Sequence, residues 1–259
     1  MVLPQNIKLT IAYDGTDYHG WQIQPGLKTV QGTLCEAAST LLRQDVHIQG
    51  ASRTDTGVHA QGQVGLLKAV TTIPMSELHW ALNDHLPKDI VVRAAEWVPD
   101  SFDPTKGAQR KHYRYTLCIG RLRPVRQIRF CWHYPSELIV ETMQAAARHL
   151  IGKQDFRTFA ASVESKRNTV RTLYRCDVIS YMEAGSAFIR VDVEGDGFLH
   201  HMVRILVGTL VDVSRGYLRP DQIPEVLAAQ DRSAAGHLAP ACGLSLEYVV
   251  YDKDERIIT

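Results

Sequence analysis

The sequence predicts an α+β protein in which one order of elements, β-α-β-β-α-β, occurs twice, with antiparallel or mixed sheets and a cleft between the two halves. Three observations predict it. The chain has 259 residues, 45% of them hydrophobic, which is long for one domain and enough for two cores. Apolar spacing over the first hundred residues switches between the strand period of 2 and the helix period of 3.6 in that order. The same order then returns, with insertions, after the linker-like stretch SFDPTKGAQ (101 to 109). This is the ferredoxin-like order, so two units are expected, residues 1–105 and 106–259.

Each element has its own signal. NIKLTIAY (6 to 13) alternates as a strand does, and TVQGTLCEAASTLLR (29 to 43) spaces apolar residues as a helix does. DVHIQGASR (45 to 53) and QGQVGLLKAV (61 to 70) read as two strands flanking a polar turn. MSELHWALNDHL (75 to 86) reads as a helix and DIVVRAAEWV (89 to 98) as a strand. In the second half KHYRYTLCI (111 to 119) is a strand and SELIVETMQAAARHLIG (136 to 152) a helix ended by Gly152. VRTLYRCDVISYM (170 to 182) and AFIRVDVEG (187 to 195) are strands, and GFLHHMVRILVGTLVDVS (197 to 214) is a long, mostly apolar helix. DQIPEVLAAQ (221 to 230) is a short amphipathic helix, and LSLEYVVY (244 to 251) closes as a strand.

Composition narrows the function. No stretch approaches the roughly 20 apolar residues of a membrane span, and MVLPQNIKLT has no charged region followed by an apolar core. The five cysteines are odd in number, scattered and without a C-x-x-C pair, which suits a reducing cytoplasm and speaks against a zinc site. The net charge of +1 conceals an uneven distribution. Residues 1–100 carry seven bases against ten acids. Residues 104–136 carry eight bases and no acid: Lys106, Arg110, Lys111, Arg114, Arg121, Arg123, Arg126 and Arg129. A second basic run, Lys153, Arg157, Lys166, Arg167, Arg171 and Arg175, is diluted only by Asp155 and Glu164. A single such run reads most simply as a solvated face; two, interleaved with Tyr113, Tyr115, Phe130, Trp132 and Tyr134, point to a polyanion.

The stretch ASRTDTGVHAQGQV (51 to 64) puts one carboxylate, Asp55, in the polar turn. Asp and Gly in such a turn suit turn chemistry alone. The DTG triplet at 55–57 also evokes an aspartic protease dyad, but that needs a second carboxylate to share a proton, and the chain has no second copy. Arg204 stands among Met202, Val203, Ile205, Leu206 and Val207, and a guanidinium there must either snorkel to solvent or find a partner. Pairing with Asp55 would hold that carboxylate ionised as a nucleophile. His200 and His201 are neighbours on the expected helix and cannot face one metal together. Trp21 and nearby glycines read as a packed loop from which Tyr13, Asp14, His19 and Gln22 could reach a nucleic acid.

The chain resembles the TruA-type tRNA pseudouridine synthases over nearly its whole length. The resemblance is carried in order by YDGTDYHGWQIQP (13 to 25), TVQGTL (29 to 34), SRTDTGVHAQGQV (52 to 64), KHYRYTL (111 to 117), ESKRNTVRTL (164 to 173), GFLHHMVRILVGTL (197 to 210) and APACGLSLEYV (239 to 249). Two departures stand out: Ser52 where glycine is frequent, and Lys111-His112 where two arginines are common. The resemblance implies an essential aspartate nucleophile at Asp55, an active-site tyrosine at Tyr113, a pairing arginine at Arg204, and Arg53 as the residue that displaces the target base. It implies isomerisation of uridine to pseudouridine at tRNA positions 38, 39 and 40, with neither metal nor organic cofactor, by a homodimer that clasps the tRNA. Arg110, Lys111, Arg114 and His19 are then expected to join Arg53 and Tyr113 in holding an RNA whose uridine is flipped out of its stem. The rival readings are a catalytically silent tRNA-binding module and a dimeric aspartic protease.

Overall fold

The computed structural model describes residues 4–162 and 168–251. Glu164, Lys166 and Arg167, and with them the start of the ESKRNTVRTL motif, lie outside the described residues. In chain order the strands are β1 (Gln5–Tyr13), β2 (Ile48–Gly50), β3 (His59–Ala69), β4 (Ile90–Val98), β5 (Arg110–Ile119), β6 (Trp132–Tyr134), β7 (Gly152–Asp155), β8 (Val170–Glu183), β9 (Ser186–Gly195) and β10 (Leu244–Val250). The helices are α1 (Val30–Leu42), α2 (Met75–Asn83), α3 (Val140–Arg148), α4 (Met202–Ser214) and α5 (Ile223–Ala228). The protein is therefore α+β. Among the described residues no helix is long and apolar enough to cross a membrane.

Two compact units emerge. One comprises residues up to Gln109 together with those from Leu246 onward, and the other runs from Arg110 to Ser245. In the first unit β1 is central, because Ile7, Leu9 and Ile11 alternate onto one fully buried face. Burying each such side chain stabilises the unit by about 1.5–3 kcal/mol. β1 pairs antiparallel with β3 (Leu9 opposite Gly65) and with β4 (Leu9 opposite Ala95), while β2 pairs antiparallel with β3 (Gln49 opposite Leu66). The order β4-β1-β3-β2 is the ferredoxin-like one, and β10 also lies beside β3. Helix α1 starts where the Thr29 hydroxyl accepts a bond from the Gly32 amide at 3.2 Å, and it buries Val30, Leu34, Ala37 and Ala38 on one stripe.

In the second unit the order is β5-β9-β8-β7, antiparallel throughout, with the short β6 parallel to β5. Its core contains Tyr115 and Leu117 of β5, Val191 and Val193 of β9, Met143 and Ala146 of α3, and Ile205, Leu206 and Leu210 of α4.

Several expected boundaries shift for local reasons. The strand expected over 45–53 is paired only at Ile48–Gly50, since the amide of Ala51 still bonds Val64 but Ser52 is taken by the side chain of Gln63. The helix expected over 136–152 is confined to Val140–Arg148, its entry fixed where the Ile139 amide donates to the Ser214 hydroxyl. The helix expected over 197–214 begins at Met202, because His201 takes a left-handed backbone, φ 61°, that an α-helix excludes. His200 and His201 are thus in the preceding turn, their rings 3.8 Å apart between centroids and tilted by 32°. Strands β6 and β7 were too short to show alternation in the sequence. Residues of β10 from Leu246 fall with the first unit, a return of the chain that element order alone does not reveal.

Candidate active site

In the first unit, Asp55 sits on the connection from β2 to β3, which is held from both sides. The side chain of Gln63, fully buried, accepts from the amide of Ser52 at 3.1 Å and donates to its carbonyl at 2.7 Å, clamping one side. The buried hydroxyls of Tyr13 and Thr54 are hydrogen-bonded at 2.7 Å. The loop after β1 backs the turn through two backbone bonds, Trp21 N–H to the Thr54 carbonyl at 3.0 Å and Gly57 N–H to the Tyr18 carbonyl at 3.3 Å. The turn itself closes with Val58 N–H on the Asp55 carbonyl at 3.1 Å, and Gly57 supplies the left-handed residue it requires, φ 77°.

Alternate side chains of this loop consequently point opposite ways. Ser52 and Thr54 are buried, Arg53 is exposed, and Asp55 is half-buried. A carboxylate and a guanidinium are thus presented side by side from a backbone pinned by several hydrogen bonds. His19 is exposed on the loop that backs the turn, its amide bonded to the Lys28 carbonyl at 2.9 Å. The neighbouring Tyr18 is buried, and burial together with its 2.7 Å bond to Asp89 pushes its phenol well above the ordinary range. That makes Tyr18 a support rather than an acid.

Gln63→Leu is expected to leave the amide and carbonyl of Ser52 without their partner and to destabilise the protein by about 2–3 kcal/mol. Urea unfolding measures that loss. Enzyme turnover should fall further than the small increase in unfolded protein explains, because the Asp55 loop loses its clamp.

In the second unit, Tyr113 is buried on β5, opposite Val193 of β9, with its ring edge-on to Phe198 at 5.0 Å. Arg204 lies in the first turn of α4, half-buried, and its Nε donates to the Ala239 carbonyl at 2.8 Å, while the Ala239 amide returns a bond to the Arg204 carbonyl at 3.2 Å. A backbone oxygen therefore offsets part of the cost of placing this guanidinium in an apolar helix. The segment holding Ala239 approaches α4 because residue 208 lacks a side chain: a Cβ there would overlap the His237 carbonyl. The Gly236 amide adds a 2.9 Å bond to the Thr209 hydroxyl, and Tyr115 donates to the Pro240 carbonyl at 2.8 Å. Gly208→Ala is expected to force this segment off α4 and cost about 1–3 kcal/mol, visible as a lowered Tm.

The β5 bases divide by role. Arg114 Nε pairs with the buried Asp192 at 2.9 Å, and Arg110 contacts Glu194 at 3.4 Å and lies 4.9 Å from the Tyr174 ring. Arg190 and His112 also meet Asp192, at 2.7 and 2.8 Å. Burial pushes the Asp192 carboxyl up, but hydrogen bonds from His112 and Arg114 outweigh it and hold it down at about 2. Lys111 is half-buried, and burial first, then repulsion from Arg171, brings its ammonium down to about 8. The Asp192 cluster escaped the sequence reading because its members come from separate strands. The one available signal was an acid in the alternation of AFIRVDVEG, and Gln63 gave a similar signal among the apolar residues of β3.

Comparison with known proteins agrees with these motifs. A family model described as tRNA pseudouridine synthase matches residues 9–105 and 146–252. Similar curated proteins include tRNA pseudouridine synthase A of Thermoanaerobacter sp. (strain X514), 42% identical over 95% of this chain and all of that protein. Those of Ruminiclostridium cellulolyticum and Geotalea daltonii are each 43% identical over the same shares. Among solved structures, the crystal structure of the archaeal box H/ACA sRNP Nop10-Cbf5 complex aligns with 92% of this chain and 46% of its own at 10% identity and a TM-score of 0.34. With a family model covering both units and relatives matched from end to end, the chain belongs to the tRNA pseudouridine synthase family and is an isomerase acting on tRNA.

Proposed function

We propose that this enzyme converts uridine to pseudouridine in the anticodon arm of tRNA, at positions 38, 39 and 40, with Asp55 as nucleophile on a flipped-out uridine. The observation that carries the reading is the clamped loop, which exposes Arg53 and half-exposes Asp55 while burying the alternate residues Ser52 and Thr54. The reaction breaks the bond from uracil N1 to the sugar, rotates the base, forms the bond from C5 to the sugar, and moves a proton from C5 to N1. An ionised carboxylate starts it by attacking sugar or base, or by assisting proton loss at the sugar. Arg53 fills the vacated stack, and Tyr113 supports the extruded base.

Arg204 is proposed as the cation that keeps Asp55 ionised, a role favoured by the resemblance and compatible with a guanidinium whose Nε is fixed by Ala239. His19, Arg110, Lys111 and Arg114 are proposed to assist in holding the RNA. The enzyme is further proposed to need no cofactor and to act as a cytoplasmic homodimer, in keeping with its resemblance and its five unpaired cysteines.

Mapping pseudouridine in unmodified tRNA before and after incubation tests this reading. New pseudouridine confined to positions 38, 39 and 40 supports it. Modification elsewhere overturns the site choice, and none at all overturns the activity.

A further inference from the structure

The arginines of the acid-free run have different fates. Arg110 and Arg114 are engaged by Glu194 and Asp192, and Arg175 and Arg190 of the neighbouring strands likewise lie against acids. The connection from β5 to β6 is unlike them. Arg121, Arg123 and Arg126 are exposed there and enter no ion pair with any described residue. The connection is nonetheless shaped: Gln127 N–H bonds the Pro124 carbonyl at 3.1 Å, Phe130 N–H bonds the Gln127 carbonyl at 2.8 Å, and Pro124 is buried beneath it. At its base, the His133 ring bonds the Gly120 carbonyl at 2.7 Å and the Gly120 amide bonds Tyr134 at 3.0 Å. Leu122 and Val125 project between the arginines, 85% and 86% exposed.

We infer that this connection, residues 121–130, is an RNA-gripping arm that holds the tRNA away from the reacting nucleotide. Its charge fits a polyanion, since residues 104–136 contain no acid to oppose the three guanidinium forks. Its apolar tips, costly to leave in water, suit the faces of riboses or unstacked bases. Gly120 follows Tyr113 by seven residue steps along and just past β5, about 23 Å at the strand rise. A contact so far from the chemistry binds substrate and transition state equally, so it sets KM and leaves kcat. The inference rests on the enzyme acting on tRNA, and it adds this arm to the acid-paired Arg110 and Arg114 of β5 as a further RNA contact.

The test is the triple variant Arg121→Ala/Arg123→Ala/Arg126→Ala, which touches no packed residue. With intact tRNA it is expected to raise Kd and KM about 10- to 100-fold at physiological salt, with kcat at saturating tRNA kept. The slope of log affinity against log salt should lose about 2–3 units, one set of counterions per phosphate released. The variant Arg121→Lys/Arg123→Lys/Arg126→Lys should recover most of the slope. Unchanged Kd and salt slope in the alanine variant overturn the arm, as does a change in oligomeric state at constant tRNA affinity, which would make it a contact between copies. Failure of the underlying activity reading is separate: the unaltered protein would then form no pseudouridine, whatever its affinity for RNA.

Discussion

Asp55→Asn is expected to lower pseudouridine formation by about 10⁴-fold or more, since the amide keeps the shape of the carboxylate and loses its nucleophilicity. The carboxylate is half-buried, and the bonds that shape its loop run through its backbone carbonyl, Thr54 and Gln63. Stability should change far less than activity, since the amide keeps the size of the carboxylate and the loop's backbone bonds. tRNA affinity should hold or tighten, because one negative charge facing a polyanion is gone. Tritium release from uracil-C5-labelled tRNA measures the chemical step, and filter binding measures affinity. Release persisting near the parental rate would remove Asp55 from the mechanism. Loss of release with equal loss of affinity would make it a binding residue.

Asp192→Asn should have the largest effect on stability, about 2–4 kcal/mol, because Arg114 and Arg190 would then face each other without a counter-charge. The lower part of that range applies if Arg114 and Arg190, each about a third exposed, turn to solvent. The pH dependence has a definite sign. The carboxyl is held at about 2 in the folded protein, below its unfolded value near 3.9, so its contribution is complete above about pH 4 and is lost as pH falls toward 2. That contribution is about 2–3 kcal/mol. Urea titrations should show the gap between parent and variant as constant near neutrality and narrowing below pH 4. A gap that ignores pH would assign the loss to packing instead.

The first unit was legible because its elements are contiguous and strongly periodic. β1 alternates cleanly, and Thr29 caps α1 at the residue where the helical pattern starts. The second unit was less so. Its three- and four-residue strands β6 and β7 are held by pairing with β5 and β8 and carry no period of their own. At the candidate site, Asp55, Tyr113 and Arg204 stood out by motif. The groups that hold two of them, Gln63 through the Ser52 backbone of the Asp55 loop and the Ala239 carbonyl through the Arg204 side chain, are selected by tertiary contact, which spacing does not encode. The basic runs showed the opposite weakness: the sequence revealed the charges, but only the acids on β9 reveal that Arg110 and Arg114 are already engaged.

The return of β10 to the first unit bears on how the enzyme is made. The strand that flanks β3 is translated some 140 residues after Gln109, a delay of about 7–28 s at ordinary ribosome speeds. During that interval the sheet carrying the Asp55 loop has an open edge along the part of β3 that β2 does not cover, while the second unit is completed. Completion of the sheet that carries the Asp55 loop therefore waits until the chain has passed through the second unit. A ribosome that stalls before residue 244 leaves an unfinished sheet whose exposed edge suits it for capture by chaperones and proteases rather than for work on tRNA.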